Sequence, residues 1–215
     1  MNKLDLKKVF KTYYNAKFKP ELVQIASAQY LSVCGKGDPS SEEFAKKVEA
    51  LYASAYTLKF RFKGEQMDFV VPKLEGLWWY DENKYPSKDY RGAVEEVPRD
   101  EWEYRLLIRL PDFVKEADVL WAKSAVWERK QLNFARELEF FTQEEGLCVQ
   151  IMHLGPFSDE WVSLQKIVDF MEEQGLLRNG FHHEIYLSDY RKTPMDKLKT
   201  ILREPVRKKL EAHSN

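Results

Sequence analysis

The sequence of residues 146–176, GLCVQIMHLGPFSDEWVSLQKIVDFMEEQGL, predicts a strand, a turn and a helix in close succession. An apolar run is followed by a turn that contains Gly155, Pro156 and Ser158. Acidic residues then begin a segment with helical spacing of its apolar side chains. Gly175 stands where a glycine commonly ends a helix.

The same order of features occurs near the start of the chain. Val23-Gln24-Ile25 recurs about 126 residues later as Val149-Gln150-Ile151. The helix predicted at SEEFAKKVEAL (41–51) matches the helix predicted at SDEWVSLQKIVDFM (158–171). Such internal similarity is typical of one supersecondary unit used twice.

A second strand follows each helix. TLKFRFK (57–63) alternates apolar and basic residues, which is typical of a strand, and HHEIYL (182–187) occupies the equivalent place. We therefore predict an α+β fold with two repeats, at about 21–80 and 101–188. The repeats are expected to surround a pseudo-two-fold axis, with helices on one face of the sheet and a cleft between the halves on the opposite face.

Three other segments complete the organisation. Residues 1–20 are basic and predict a helix around 4–15 followed by a linker, so the domain proper is expected to span 21–210. Residues 81–100 are polar, contain prolines and a glycine, and predict a loop. Residues 113–132 have helical spacing.

Composition limits the class of protein. The chain has 215 residues with 34 basic and 35 acidic side chains, which argues against nucleic-acid binding. Its two cysteines are too few for a disulfide framework, and a reduced, cytoplasmic protein is expected. No apolar run approaches the length of a membrane span, and MNKLDLKKVF lacks the apolar part of a signal peptide. The oligomeric state stays open.

Aromatic residues are unusually frequent, at 14%, with six Trp and eleven Tyr. They form clusters at Trp78-Trp79-Tyr80, at Trp102-Glu103-Tyr104 and between Trp121 and Trp127. Two interpretations stay open for each ring, because Trp and Tyr suit both a packed core and a pocket for a flat apolar ligand.

Glu184 in HHEIYL is the candidate for chemistry. In a strand it shares a face with Tyr186, while Ile185 points to the core. It is either a solvated strand carboxylate, a counter-charge for a cationic ligand, or a general base acting on water. The neighbouring His182 and His183 point to opposite faces, so we expect no metal site there. No nucleotide-binding or nucleophile motif is present, and no cofactor is expected.

A series of motifs resembles the stand-alone branch of the GyrI-like small-molecule-binding family over roughly residues 20–210. They are, in order, LEGLWWYDE, EWEYRLLIRLPDFV, HLGPFSDE, HHEIYLSD and MDKLKTILREPV. The resemblance implies two strand–helix–strand–strand repeats and a cleft for bulky planar compounds, with Glu184 at its base. Part of this branch consists of cyclopropanoid cyclopropyl hydrolases, which detoxify DNA-alkylating antibiotics of the yatakemycin and CC-1065 type.

The implied mechanism is hydrolytic ring opening, in which Glu184 activates water and a phenol, Tyr104 or Tyr80, hydrogen-bonds the dienone oxygen of the substrate. The ligand-binding residues are then expected to be Trp78, Trp79, Tyr80, Trp102, Trp121, Trp127 and Tyr186. One of Trp78 and Trp79 is expected in the core, because neighbours in a strand point oppositely. The alternatives are a non-catalytic protein that sequesters or senses drugs or metabolites, and a domain that binds a peptide partner.

Overall fold

The computed structural model describes residues 3–87 and 90–209. In this part of the chain, nine strands form one antiparallel sheet. The strands are β1 (Glu21–Ile25), β2 (Ala28–Lys36), β3 (Glu75–Trp79), β4 (Glu103–Leu110), β5 (Glu139–Gln143), β6 (Gly146–Leu154), β7 (Leu176–Arg178), β8 (His182–Tyr186) and β9 (Lys199–Lys208). The helices are α1 (Leu6–Val9), α2 (Lys11–Tyr14), α3 (Glu42–Gly64), α4 (Tyr90–Glu96), α5 (Glu116–Lys130) and α6 (Glu160–Glu173).

The strand order shows the two-fold organisation that the sequence predicts. It runs β1-β6-β9-β8-β3-β4-β2-β5, with β7 attached to β9, so β3 and β8 are the central pair. On one side β2, α3, β3 and β4 follow one another along the chain, and on the other β6, α6, β8 and β9 do so. The two halves also exchange their leading strands, since β1 pairs with β6 and β5 pairs with β2.

This exchange explains an error in the predicted repeat boundaries. The equivalent units are 28–110 and 146–208, not 21–80 and 101–188. Val23-Gln24-Ile25 is therefore not the counterpart of Val149-Gln150-Ile151. It belongs to β1, which lies directly beside β6 with Val23 opposite Cys148.

The predicted strand at 57–63 is wrong, because these residues form the last turns of α3. Leu58 and Phe62, four residues apart, are buried against the sheet side of the helix. Lys59 reaches Asp68 with an Nζ–Oδ1 distance of 2.5 Å, and Phe60 faces outward. Alternation over only seven residues was compatible with a strand and also with the last turns of a helix. The strand after the helix is instead β3, and β8 is its counterpart.

Helices α3 and α6 cover one face of the sheet, each over its own half. Leu58 of α3 packs with Leu31 and Leu106, and Leu164 of α6 packs with Val149 and other residues of β6 and β9. The cleft opens between these two helices. The prediction that it lies on the face opposite the helices is therefore wrong.

The opposite face is covered by the N-terminal segment. A single helix around 4–15 was expected, but Phe10 has non-helical backbone angles and divides it into α1 and α2. The break directs Leu6, Tyr13 and Tyr14 into a core with the other face of the sheet. The segment 81–100, expected to be a loop, contains α4, although residues 88 and 89 lie outside the described part. Within the described residues, no helix combines the length and apolar character needed to cross a bilayer.

Candidate functional site

The floor of the cleft is formed by the central strands. Register pairs Trp78 of β3 with His182 of β8, and Gly76 with Glu184, so all four residues face the helix side. The walls come from α3, α4, α6 and the loops beside them. Their apolar and aromatic side chains include Phe44, Val48, Tyr52, Tyr80, Trp102, Phe157, Trp161 and Leu164.

The cleft is large, with a volume of about 2140 Å³. Typical small-molecule pockets occupy roughly 300–1,000 Å³. Rings pack in pairs along it: Phe44 stacks on Trp78 at 6.1 Å between centroids, and Tyr80 meets Trp102 edge-on at 5.0 Å. The cleft therefore suits a bulky ligand with an extended apolar surface.

Gly76 permits a close packing arrangement at the floor. The indole of Trp78 folds over it and donates a hydrogen bond from Nε1 to the Tyr186 hydroxyl at 2.9 Å. A Cβ atom at position 76 would lie 2.7 Å from that same Nε1. Because residue 76 has no side chain, the Trp78 indole and the Tyr186 phenol can pack together beside Glu184.

Two carboxyl groups meet at the floor. Glu184 comes from β8, and Glu160 comes from the first turn of α6, where it is buried with Oε1 lacking a hydrogen-bond partner among the described residues. Burial, together with the negative charge of Glu184, holds the pKa of Glu160 well above its usual range. Glu160 therefore keeps its proton beside Glu184.

His182 lies beside this pair and connects it to a third carboxylate. Its Nδ1 is 2.6 Å from Glu204 Oε1, and its Nε2 is 3.3 Å from Glu184 Oε1. Burial alone would lower the pKa of His182, but Glu204 and Glu184 outweigh it and raise the pKa to about 10. His182 is thus an imidazolium between two carboxylates.

Phenolic groups near the carboxylates are also held protonated. Burial and the charge of Glu184 raise the pKa of Tyr186 well above its ordinary value, and burial and Glu204 do the same for Tyr90. Both hydroxyls remain hydrogen-bond donors at neutral pH. Together these groups offer a general base, a neutral acid and phenolic donors at the base of an apolar cleft.

The structure brings most of the predicted site residues together. Glu184, Tyr186, Trp78, Tyr80 and Trp102 line the cleft. Trp79 lies at its margin, and its ring stacks on Phe181 at 4.5 Å while packing against the core of the opposite face. The expectation that Trp78 and Trp79 point oppositely is met.

Three predicted residues do not reach the cleft. Tyr104 is buried beneath the floor, where Phe44 and Trp78 cover its ring. Trp121 and Trp127 lie on α5, on the far side of α3, where they stack on arginines. The phenol beside the carboxylates is that of Tyr186, which the sequence predicted only as a ligand contact.

Sequence reasoning missed Glu160, His182 as a partner of Glu184, and Glu204. His182 was detectable, because a residue two positions before Glu184 shares its face in a strand. Glu160 gave no distinguishing signal, since acidic residues are common in the first turn of any helix.

The family model described as GyrI-like small molecule binding domain matches residues 18–207. The solved structure of a hydrolase from Listeria innocua is 42% identical, with a TM-score of 0.82 across 95% of this chain and 100% of its own. An uncharacterized conserved protein from the same organism is 42% identical, with a TM-score of 0.85 and the same shares covered.

A more distant structure has the same fold. The EcmrR C-terminal domain is 12% identical and has a TM-score of 0.57, across 88% of this chain and 98% of its own. At this identity the likeness concerns the fold alone. A search of curated proteins found no match.

Proposed function

Since the chain belongs to the family of GyrI-like small-molecule-binding domains, we propose that it hydrolyses the cyclopropane ring of cyclopropanoid DNA-alkylating antibiotics held in its cleft. Its likeness to a hydrolase from Listeria innocua, at 42% identity, supports a hydrolytic activity. The observation that carries the proposal is the meeting of two carboxyl groups, those of Glu160 and Glu184, at the base of an aromatic cleft, where burial keeps Glu160 protonated.

The substrate carries a cyclopropane fused to a conjugated dienone. Trp78, Tyr80 and Trp102 provide ring faces and edges for its flat skeleton. Holding the strained ring above Glu184 brings a water molecule and the unhindered ring carbon together, which removes much of the entropic barrier.

The chemical step balances as a simple addition of water. The water oxygen bonds to the unhindered cyclopropane carbon as the bond between that carbon and the ring carbon shared with the dienone breaks. The electron pair of the broken bond moves through the dienone to its oxygen. Glu184 takes the proton that the water loses, and Glu160 gives its proton to the dienone oxygen, which becomes a phenol. Proton exchange between the two carboxyl groups then restores the starting state.

Tyr186 and His182 hold Glu184 in place for this step. The Tyr186 hydroxyl accepts a hydrogen bond from the Trp78 indole, and the His182 imidazolium lies 3.3 Å from Glu184 Oε1. The phenolic donor expected from Tyr104 is not available, because that ring lies beneath the floor. Tyr80, which lines the cleft, remains placed to contact the substrate.

The test is turnover by the purified protein, added far below the amount of a cyclopropane-containing antibiotic and followed by mass spectrometry. We expect each substrate molecule to gain one water over many turnovers. Glu184→Gln should lower kcat by about 10²- to 10⁴-fold, the usual contribution of general-base catalysis. Glu172→Gln is the matched control, because Glu172 lines the exposed end of the cleft and should leave kcat unchanged.

A second function, binding without chemistry, is favoured by the volume of the cleft, which at about 2140 Å³ exceeds what one drug-sized ligand fills. A protein that sequesters or senses drugs would protect at one equivalent and release the compound unchanged. Intact antibiotic after prolonged incubation would overturn the hydrolase proposal. A Glu184→Gln variant as active as the unchanged protein would overturn the role of Glu184 as the general base.

A further inference from the structure

A second, smaller cavity lies on the opposite side of the sheet from the cleft. It has a volume of about 220 Å³ and is bounded by α1, α2, the end of β1 and Arg109 of β4. At ~30 Å³ for each water of the liquid, this space equals about seven waters. It is lined by Val9, Phe10, Lys11, Thr12, Tyr13, Gln24, Ile25, Ala26 and Arg109.

Arg109 is the unusual group in this cavity. The residue is 4% exposed, yet among the described residues its guanidinium forms neither an ion pair with a carboxylate nor a side-chain hydrogen bond. A buried cation without an anionic partner is costly, and the water that its nitrogens still reach through the cavity offsets only part of this cost.

Aromatic rings compensate only part of that cost. The guanidinium carbon lies 3.8 Å from the centroid of the Phe10 ring and 4.4 Å from that of the Tyr13 ring. Contacts with ring faces of this kind do not give the N–H groups of a guanidinium an oxygen acceptor. The donors of Arg109 therefore remain available to the cavity.

The other buried charges on this side of the sheet are fully engaged. His183 lies 2.9 Å from Glu145 and 3.1 Å from Glu75 through its two ring nitrogens, and Arg203 lies 3.0 Å from Glu145. Since both nitrogens of His183 face carboxylates, the ring is an imidazolium with two donors. Among the described residues, this layer thus buries three cations and two carboxylates, and Arg109 is the cation without a carboxylate partner.

The cavity walls narrow the choice of partner. Within residues 3–87 and 90–209, no acidic side chain lines the cavity, and Lys11 adds a second positive charge at its exposed rim. The remaining walls include the apolar side chains of Val9, Ile25 and Ala26. A guanidinium fork pairs with the two oxygens of a carboxylate by parallel hydrogen bonds.

We propose that this cavity is a binding site for a small carboxylate with a compact apolar body, held by Arg109 and Lys11. The carboxylate occupies the in-plane donors of Arg109, and the apolar body rests against Val9, Ile25 and Ala26. The site lies across the sheet from Glu184, and it does not depend on the reaction proposed for the cleft.

Benzoate is the probe, with its neutral analogue benzamide and with inorganic phosphate as comparisons, followed by ligand-observed NMR titration of the full chain. We expect one saturable benzoate site and at least tenfold weaker binding of benzamide. Arg109→Gln should weaken benzoate at least tenfold, and Ala26→Trp should do the same by filling the mouth of the cavity. Ala26 is exposed, so this second variant tests the site without disturbing the core.

Glu184→Gln separates this cavity from the cleft and should leave benzoate affinity unchanged, because that carboxylate faces the other side of the sheet. Failure of benzoate to bind the unchanged protein would overturn the proposal. So would equal affinity in Arg109→Gln or in Ala26→Trp, and so would phosphate binding in preference to benzoate.

Discussion

His182 Nε2 lies 3.3 Å from Glu184 Oε1, and the two residues project from the same face of β8. The other ring nitrogen of His182 is held by the buried carboxylate of Glu204 at 2.6 Å. Glu204 does not line the cleft, and the imidazolium of His182 connects it to Glu184. The charge state of His182 therefore governs the electrostatic environment of the proposed base.

Glu204→Gln should lower the pKa of His182 from about 10 toward its ordinary value of 6.5, because it removes the largest opposing charge. A histidine with a raised folded-state pKa contributes stability below 6.5 that is lost as pH rises through about 10. The variant should thus be most destabilised near pH 6 and differ least near pH 10. Histidine NMR titration and thermal unfolding between these pH values measure both effects.

Glu82→Gln is the control for this variant, since Glu82 pairs with Arg178 at 3.1 Å on the surface and does not contact His182. The same arginine also lies 3.4 Å from Glu204. An unchanged His182 titration in Glu204→Gln would refute the connection between the two residues.

Glu160→Gln tests the protonated carboxyl group of the pair. Because burial and Glu184 raise the pKa of Glu160, its contribution to stability is present below its ordinary pKa of 4.5 and is lost as pH rises through the folded-state value. The amide cannot ionise, so the stability of the variant relative to the unchanged protein should increase from pH 5 upward. Its kcat should fall, because the amide cannot transfer a proton.

The comparison for Glu160→Gln is Glu173→Gln, at the exposed end of the same helix. Denaturant unfolding at several pH values gives the difference in free energy of unfolding. If the free energies of unfolding of Glu160→Gln and of the unchanged protein differ by the same amount at every pH, Glu160 is ionised in the folded protein.

Sequence patterns predicted the parts of the site that lie within one strand. Alternation in HHEIYL placed Glu184 and Tyr186 on one face, and both line the cleft. The Glu160–Glu184 pair was not predictable in this way, because it arises where α6 returns over the sheet. Burial decides the state of Glu160, and burial depends on tertiary packing.

The aromatic predictions failed where a second layer covers a ring. Tyr104 is on the helix face of β4, as its alternation indicates, but Phe44 and Trp78 lie between it and the cleft. Trp121 has helical spacing in α5, yet that helix packs outside α3. A single sequence gives the face of each element but not the order in which layers stack.

Trp102→Ala should weaken binding of a planar ligand by about tenfold, or about 1.4 kcal/mol, because it removes a ring face from the cleft and the edge contact with Tyr80. Trp121→Ala is the matched control. Trp121 is 40% exposed and stacks on Arg61 at 4.6 Å, outside the cleft. Titration with a planar dye measures the affinity of both variants. An equal loss of affinity in the two variants would contradict the assignment of Trp102 to the cleft.

Gly76→Ala should damage the site through packing rather than charge. Its Cβ would lie 2.7 Å from Trp78 Nε1 and 3.1 Å from the Tyr186 hydroxyl, so the indole must move and its 2.9 Å hydrogen bond breaks. Overpacking of this kind costs roughly 1–3 kcal/mol. Gly64→Ala is the control, because no described residue places an atom in the way of an added Cβ at the end of α3. Alanine there should stabilise the helix by up to ~1 kcal/mol. Chemical denaturation and dye binding should show Gly76→Ala weakened in both and Gly64→Ala in neither. Full dye affinity in Gly76→Ala would mean that the Trp78–Tyr186 pair does not shape the cleft floor.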